Sequence, residues 1–471
     1  MTTRVLIVGA GLCGSLLAVY LARRGMRVYV VERRSDPRVR GYAGGRSINL
    51  ALSVRGLWGL AGVGLDSVVM ERDAIAMPGR MLHDVAGRTA FQPYSANPAD
   101  AINSVSRGDL NLTLLRAAAA EPNVELTFDH ACEDVDLDAP AGVFRTPDGA
   151  ARRIDADVVL GADGAFSPVR GRLQKTDRFE YSQSYLAHGY KELHIPARAG
   201  VEHAMEQHAL HIWPRGGSMM IALPNRDGSF TCTLFWPFEG EHSFAALPPG
   251  EPTRVEAFFG QHYPDALPLM PTLPYDYAHN PVGSLVTVRC WPWQHAGTVA
   301  VLGDAAHAIV PFYGQGMNCG FEDVRVLAEL LDAHAGDFGT ALPAFERARK
   351  PNADAIADMA IENFVEMRDL AGREDFQHRK RIEQTLHRLR GDDVTPQYNL
   401  VSFSTVPYAV AQRRGREMNA LLYAIAGDVP ASAWGHPAWD AHVLDAARPH
   451  LRTITPLAPG EGRASARSDH R

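Results

Sequence analysis

The run Gly9-Ala10-Gly11-Leu12-Cys13-Gly14 carries glycines at the spacing that cradles a dinucleotide, and Glu32 follows it about 20 residues further on. The first glycine of such a run permits a tight turn, the second lets the backbone approach a pyrophosphate, and the third packs helix on strand. The free N–H groups and dipole at the helix start favour phosphates. The acid accepts hydrogen bonds from a ribose. Two later glycine–aspartate pairs each follow an apolar run. Gly161-Ala162-Asp163-Gly164 leads into Ser167-Pro168-Val169-Arg170, and Gly303-Asp304-Ala305-Ala306-His307 precedes Pro311 and Gly314-Gln315-Gly316-Met317-Asn318. No second GxGxxG exists, so a separate nicotinamide-binding Rossmann unit is not expected. Cys13, Cys132, Cys232, Cys290 and Cys319 lie far apart with no CxxC pair. That is neither a disulfide framework nor a zinc site, and no metal is expected.

Positioning these groups takes a strand–turn–helix–strand unit. Arg4–Val8 predicts a strand, Cys13–Arg24 a helix and Arg27–Glu32 a second, parallel strand. The apolar stretch Val5–Ala22 approaches the ~18 residues of a membrane span. Its patterned glycines and the closing Arg23-Arg24-Gly25 instead make it a buried strand and a packed helix. Residues Asn103–Glu121 predict a helix, with further strands in VELTFDH and ADVVLGADG. Between about Tyr181 and Pro281 lie three short alternating apolar runs, divided by Arg215-Gly216-Gly217 and Asn225-Arg226-Asp227-Gly228. They predict an antiparallel meander inserted as a second domain. Gly297–Leu302 returns to the α/β pattern, and from Phe321 to about Gly427 the chain predicts helices. The charged run Arg368–Arg390 reads as a solvated helix face.

The class is therefore α/β, with an inserted antiparallel β domain and a helical C-terminal region. The expected boundaries are a nucleotide-binding domain over 1–75, 100–180 and 282–340, and a sheet domain over 76–99 and 181–281. A helical region follows over 341–430, then a partly disordered tail over 431–471.

The three glycine motifs together resemble those of the single-component FAD-dependent aromatic hydroxylases, the family of p-hydroxybenzoate hydroxylase. The resemblance implies a Rossmann-like FAD-binding fold of that type. It assigns Gly9, Gly11, Leu12, Gly14 and Glu32 to the ADP half of FAD, and Asp163 to a segment facing FAD and nicotinamide. Asp304 would bind the ribityl chain, and Gly316, Met317 and Asn318 would face the isoalloxazine, with Arg33, Arg46, Ala51 and Arg107 also on the cofactor. A helix start near the flavin N1–C2 region would stabilise the negative charge of reduced flavin.

Further segments resemble the kynurenine 3-monooxygenase branch: Gly45–Ser53, His188–Leu193, His208–Pro214, Pro311–Asn318 and Glu362–Met367. This implies NAD(P)H and O₂ as co-substrates, NADPH expected and NADH left open. Through a C4a-hydroperoxyflavin, oxygen would reach the ring carbon ortho to the amine of L-kynurenine, giving 3-hydroxy-L-kynurenine. A carboxylate in an apolar pocket needs a cationic fork with a hydroxyl beside it. Arg80 and Tyr94 match the branch's residues for that task, and Asn363 and Tyr398 match its polar contacts from the helical region. Leu210, Ile221, Leu223, Phe235, Pro311, Phe312 and Tyr313 would line the pocket, although core strands use the same residue types. No catalytic nucleophile is assigned.

The same chemistry on a modified kynurenine or an anthranilate-like acid of a secondary-metabolite pathway is the near alternative. A flavin halogenase fits poorly: Trp291-Pro292-Trp293-Gln294-His295 lacks the Ile-Pro of its signature, and no lysine precedes Lys175. An FAD-binding scaffold without turnover is the non-enzymatic alternative, which turnover would separate. Charge excludes a general nucleic-acid binder, with 47 Lys+Arg against 54 Asp+Glu. With 46% hydrophobic residues over 471 positions there is material for a large core. The tail beyond Asp440 holds no apolar run, unlike the hydrophobic anchor of eukaryotic members. A cytoplasmic, soluble protein without a membrane anchor is expected, and a homodimer is left open.

Overall fold

The computed structural model describes residues 2–41, 49–95, 97–198, 200, 202–370 and 373–457. Val5, Leu6, Ile7 and Val8 are consecutive apolar residues, and all four are buried. Such a run suits a strand covered on both faces. It pairs in parallel with Arg27–Val31 on one side and Val158–Gly161 on the other. The six-stranded sheet runs in the order Gln294–His295, Val299–Val301, Val158–Gly161, Arg4–Val8, Arg27–Val31, Val124–Thr127. Its first pair is antiparallel and the others parallel. The Leu12–Ala22 helix is buried from Gly14 onward, as an apolar helix between sheet and neighbouring helices must be.

The segment expected as one helix over Asn103–Glu121 divides in two. Ile102–Ser106 is a strand between Asn49–Leu52 and Ala74–Met77, and the helix spans Arg107–Ala120. Ile102 and Val105 bring β-branched side chains to the strand. Ser106 then stops it, because its side chain caps the helix by accepting from the Asp109 N–H.

A seven-stranded sheet holds the expected meander, Ala209–Pro214, Met219–Pro224 and Phe230–Pro237. Glu180–Ile195 and Val282–Trp291 extend it on one side, Gly79–His83 and Thr89–Pro93 on the other. It is not antiparallel throughout: Gly79–His83 runs parallel to Ala209–Pro214. Strands so far apart in sequence need no hairpin, so antiparallel pairing is not imposed on them. One face is sealed by a core of Trp213, Phe230, Trp236, Phe259 and Tyr263.

Helices Phe338–Val365, Glu374–Arg390, Gln397–Ser402 and Tyr408–Ile425 follow. Order continues into the segment expected as a tail. The Trp439–Ala447 helix buries Trp439, Val443 and Ala447 against Ile382, Leu386 and Met418. Among the described residues, no helix is long and apolar enough to cross a membrane.

Candidate active site

The turn after the first strand is built by exclusion. Gly9 has φ +101°, and a Cβ there would lie 2.6 Å from the Ala162 carbonyl oxygen. A Cβ on Gly14 would lie 2.0 Å from the Gly9 carbonyl oxygen, whereas one on Gly11 would meet nothing within 4 Å. Two glycines therefore let the protein close on itself, and the middle one leaves an open approach. Glu32 braces the turn: one carboxylate oxygen accepts from the Ala10 N–H at 2.9 Å, the other from the Arg34 N–H at 3.0 Å.

From this turn a single cavity of about 2210 Å³ runs to the helical region. Ligand pockets usually hold about 300–1,000 Å³, so there is room for a large cofactor and a second molecule. Gly9, Gly11, Leu12, Glu32, Arg33, Ala51, Arg107, Asp163, Asp304, Gly316 and Met317 line it. Asp163 leaves one carboxylate oxygen buried without a hydrogen-bond partner. Burial pushes its pKa up to about 6. An open glycine cradle and a buried acid with one oxygen still open, the other accepting from the Val169 N–H at 3.2 Å, fit the pyrophosphate and hydroxyls of FAD. Gly14 packs behind the turn rather than on the cavity. The buried Asn318 accepts from the Ser53 N–H at 2.9 Å and donates to the Ala51 and Gly314 carbonyls at 2.8 and 2.7 Å. Its side chain thus clamps the loop to the Asn49–Leu52 strand. Arg46 lies outside the described residues.

At the far end, Arg80, Tyr94, Asn363 and Tyr398 converge on the same cavity from four separate segments. The half-buried Arg80 receives its place from strand alternation, and its Nε donates to Gln92 Oε1 at 3.2 Å. Tyr94 stacks on Tyr398 with ring centroids 5.2 Å apart, and Tyr398 stacks on Tyr313 at 5.7 Å. The Tyr94 hydroxyl is buried with no partner of normal hydrogen-bond geometry. Burial, with the neighbouring Tyr398, holds its pKa well above the ordinary phenol value. Asn363 donates to the Phe312 carbonyl at 2.7 Å, tying the Phe338–Val365 helix to the Pro311–Tyr313 turn. Leu210, Ile221, Leu223, Phe235, Pro311, Phe312 and Tyr313 all line the cavity between. Phe312 sits between Phe235 at 5.0 Å and Phe364 at 4.2 Å.

Two features escaped the sequence reading. The charged Glu374–Arg390 helix is not simply a solvated face: Lys380, Arg381 and Gln384 line the cavity. Lys380 pairs with Glu383 at 3.1 Å and Glu366 at 3.4 Å. Alternating acids and bases along one helix give no sign of which side meets a cavity. The second is a polar cluster on the strand that carries Arg80. His83 contacts Asp265 at 2.5 Å and His211 at 2.8 Å, and His211 bonds the Glu206 carbonyl. Burial pushes His211 down to about 4. The signal for this cluster was the histidine three residues beyond Arg80 on the same strand.

A family model described as an FAD binding domain matches residues 2–360. Kynurenine 3-monooxygenase of Myxococcus xanthus is 49% identical over 427 residues, covering 90% of this chain and 91% of the relative. The enzyme of that name from Dictyostelium discoideum is 45% identical, covering 89% and 92%. Among solved structures, 2-methyl-3-hydroxypyridine-5-carboxylic acid oxygenase matches with TM-score 0.64 at 21% identity, over 79% of this chain and 94% of that one. PqsL of Pseudomonas aeruginosa, in complex with 2-aminobenzoylacetate, matches with TM-score 0.62 at 25% identity, over 78% and 97%. The matched family model and relatives of this identity along nine-tenths of the chain place it plainly: it belongs to the kynurenine 3-monooxygenases, within the FAD-binding-domain family.

Proposed function

We propose that this protein hydroxylates L-kynurenine at the ring carbon ortho to the amine, giving 3-hydroxy-L-kynurenine, with NADPH and O₂ as co-substrates. The observation that carries the reading is the convergence of Arg80, Tyr94, Asn363 and Tyr398 on one cavity with the glycine cradle. FAD, when bound, supplies the activation of oxygen. The side chains bind, orient and exclude water. Arg80 takes the amino-acid carboxylate as a fixed fork, and the Tyr94 hydroxyl adds the donor it cannot use within the protein. Phe235, Phe312, Leu210, Ile221 and Leu223 hold the aryl ring in an apolar slot and keep water from it. The aniline nitrogen of the substrate enriches the reacting carbon, so no protein nucleophile is required. In this reading 1–75, 100–180 and 282–340 carry FAD, 76–99 and 181–281 bring the substrate sheet, and 341–430 closes the pocket.

PqsL, solved with 2-aminobenzoylacetate, supports the substrate class, because that ligand also joins an ortho-amino aryl ketone to a carboxylate. A modified kynurenine remains the second reading on the same ground. The deciding measurement is NADPH oxidation by the holoenzyme with and without L-kynurenine, with mass analysis of the product. Stimulated oxidation with a product one oxygen heavier is expected. Stimulation that yields hydrogen peroxide alone would make kynurenine an effector and move the substrate to a relative.

A further inference from the structure

Beneath the cavity, and not lining it, lies a chain of buried ionic side chains. Arg55, Glu322, Arg349, Asp323 and His307 are each at most 5% exposed. Arg55 pairs with Glu322 at 3.1 Å, and Glu322 with Arg349 at 3.2 Å. Arg349 pairs with Asp323 at 2.7 Å. The other oxygen of Asp323 contacts His307 Nε2 at 2.5 Å and accepts from the Gly303 N–H at 3.0 Å.

The two ends of this chain matter. At one end Arg55 donates to the carbonyls of Val401 at 3.0 Å, Leu400 at 3.3 Å, and Val406. The carbonyls of Leu400 and Val401 close the Gln397–Ser402 helix, which carries Tyr398, and that of Val406 lies in the segment after it. At the other end, Gly303 opens the turn that presents Asp304 to the cavity. A second tie runs beside the first. The Tyr408 hydroxyl donates to Gln315 Oε1 at 2.8 Å, with the Arg55 guanidinium 3.9 Å above the Tyr408 ring. Gln315 immediately precedes Gly316 and Met317 of the cofactor loop.

Burying such ions costs desolvation, and apolar residues of similar size would give comparable or greater stability. What an ionic chain supplies in addition is one fixed geometry, since each link orients both its partners. A metal at His307, Cys319 and Asp323 is the competing use of the cluster. Arg349 already occupies it, on Asp323 and 3.4 Å from Cys319 Sγ.

We propose that this chain is a positioning device that couples the helix carrying Tyr398 to the Gly303–Asp304 turn, with Glu322 and Asp323 as its positioning residues. The proposal rests on the hydroxylation reading above. Its consequence is a partition of the electrons of NADPH. With both ends held, NADPH, H⁺, O₂ and substrate give NADP⁺, water and hydroxylated product. With the ends released, NADPH, H⁺ and O₂ give NADP⁺ and hydrogen peroxide.

The test uses the holoenzyme and Glu322→Gln. Three quantities are read: FAD affinity by flavin fluorescence, kynurenine affinity by flavin absorbance titration, and product formed per NADPH oxidised. Both affinities should stay within about threefold of wild type, while product per NADPH falls at least about threefold and peroxide makes up the difference. Glu322→Asp should restore part of the loss. An unchanged product ratio in a variant that retains FAD would overturn the proposal. Should Glu322→Gln fail to fold or to hold FAD, Arg55→Lys carries the test, since it keeps a cation beside Glu322 and loses the fork on the Val401 and Leu400 carbonyls. A smaller fall in the same ratio supports the device, and an unchanged ratio overturns it. Wild-type enzyme that forms no hydroxykynurenine would overturn the hydroxylation reading, and this proposal with it.

Discussion

The two ends of the cavity are made of different material. At the glycine turn the binding surface is backbone: Gly9 and Gly11 face the cavity, Gly14 packs behind them within the same six residues, and the strand, helix start and Glu32 fix their conformation. At the other end it is side chain. Arg80 comes from a sheet strand, Tyr94 from beyond its hairpin partner, and Asn363 and Tyr398 from two helices. A backbone site is rigid because local chain geometry dictates it, and it recognises what all dinucleotides share. A side-chain site depends on distant segments meeting, and its selectivity can change one residue at a time. The contrast predicts that damage at one end leaves the other measurable.

The largest effect should separate two glycines of the same turn. Gly14→Ala forces a Cβ to within 2.0 Å of the Gly9 carbonyl oxygen. Overpacking of this kind costs ~3 kcal/mol or more, so the apoprotein should lose stability and FAD affinity should fall about 100-fold or more. Gly11→Ala meets no protein atom within 4 Å. It should therefore leave the apoprotein melting temperature unchanged while still weakening FAD. Equal melting losses in both variants would show that Gly11 is a folding residue rather than a face of the cradle.

At the other end, Arg80→Ala should lower kcat/KM for kynurenine by about 2–4 kcal/mol, mostly through KM, because a carboxylate would be buried without its partner. FAD content should stay at the wild-type level. Near-normal kcat/KM would remove Arg80 from the site, and loss of FAD would erase the distinction between the two ends.

This difference also sets how much was readable in the sequence. The cradle was legible because its parts are contiguous and each glycine answers a steric demand. The parallel sheet and the meander were legible from apolar runs and turn residues. The strand Ile102–Ser106 was not, since its five residues continue without a break into a helix and only the Ser106 cap marks the change. Arg80 and Tyr94 were reached through family resemblance, because a lone arginine or tyrosine has no local pattern. The ionic chain had no signal at all: Arg55 and Glu322 are 267 residues apart, and only the tertiary fold makes them neighbours.

A pH experiment sharpens the account of the cradle. Burial raises Asp163 from 3.8 to about 6, so the folded apoprotein holds a proton that the unfolded chain has already released. Stability from this group is complete below the unfolded value and is lost as pH rises through about 6. The full shift corresponds to up to about 3 kcal/mol. Between pH 4 and 6.5 the wild-type apoprotein should lose stability relative to Asp163→Asn, with denaturant unfolding as the readout. FAD, by supplying a donor to the orphan oxygen, should flatten that difference. Parallel pH curves for the two apoproteins would show that the Asp163 carboxylate is solvated.

The smallest effect asks whether the substrate end is finished without its ligand. The Tyr94 hydroxyl is buried with no partner of normal hydrogen-bond geometry, and its ring stacks on Tyr398 and packs against Phe403. Tyr94→Phe keeps those ring contacts and removes a hydroxyl that gains nothing within the free protein. Free-protein stability should therefore be unchanged or slightly higher, since an unsatisfied buried group is relieved. Kynurenine should bind more weakly by about 1 kcal/mol, the net contribution of one hydrogen bond, with kcat close to wild type. Thermal melting of the free enzyme and a kynurenine titration of the flavin spectrum measure the two quantities independently. A stability loss without a change in binding would mean the hydroxyl already has a protein partner, and the carboxylate would then rest on Arg80 without it.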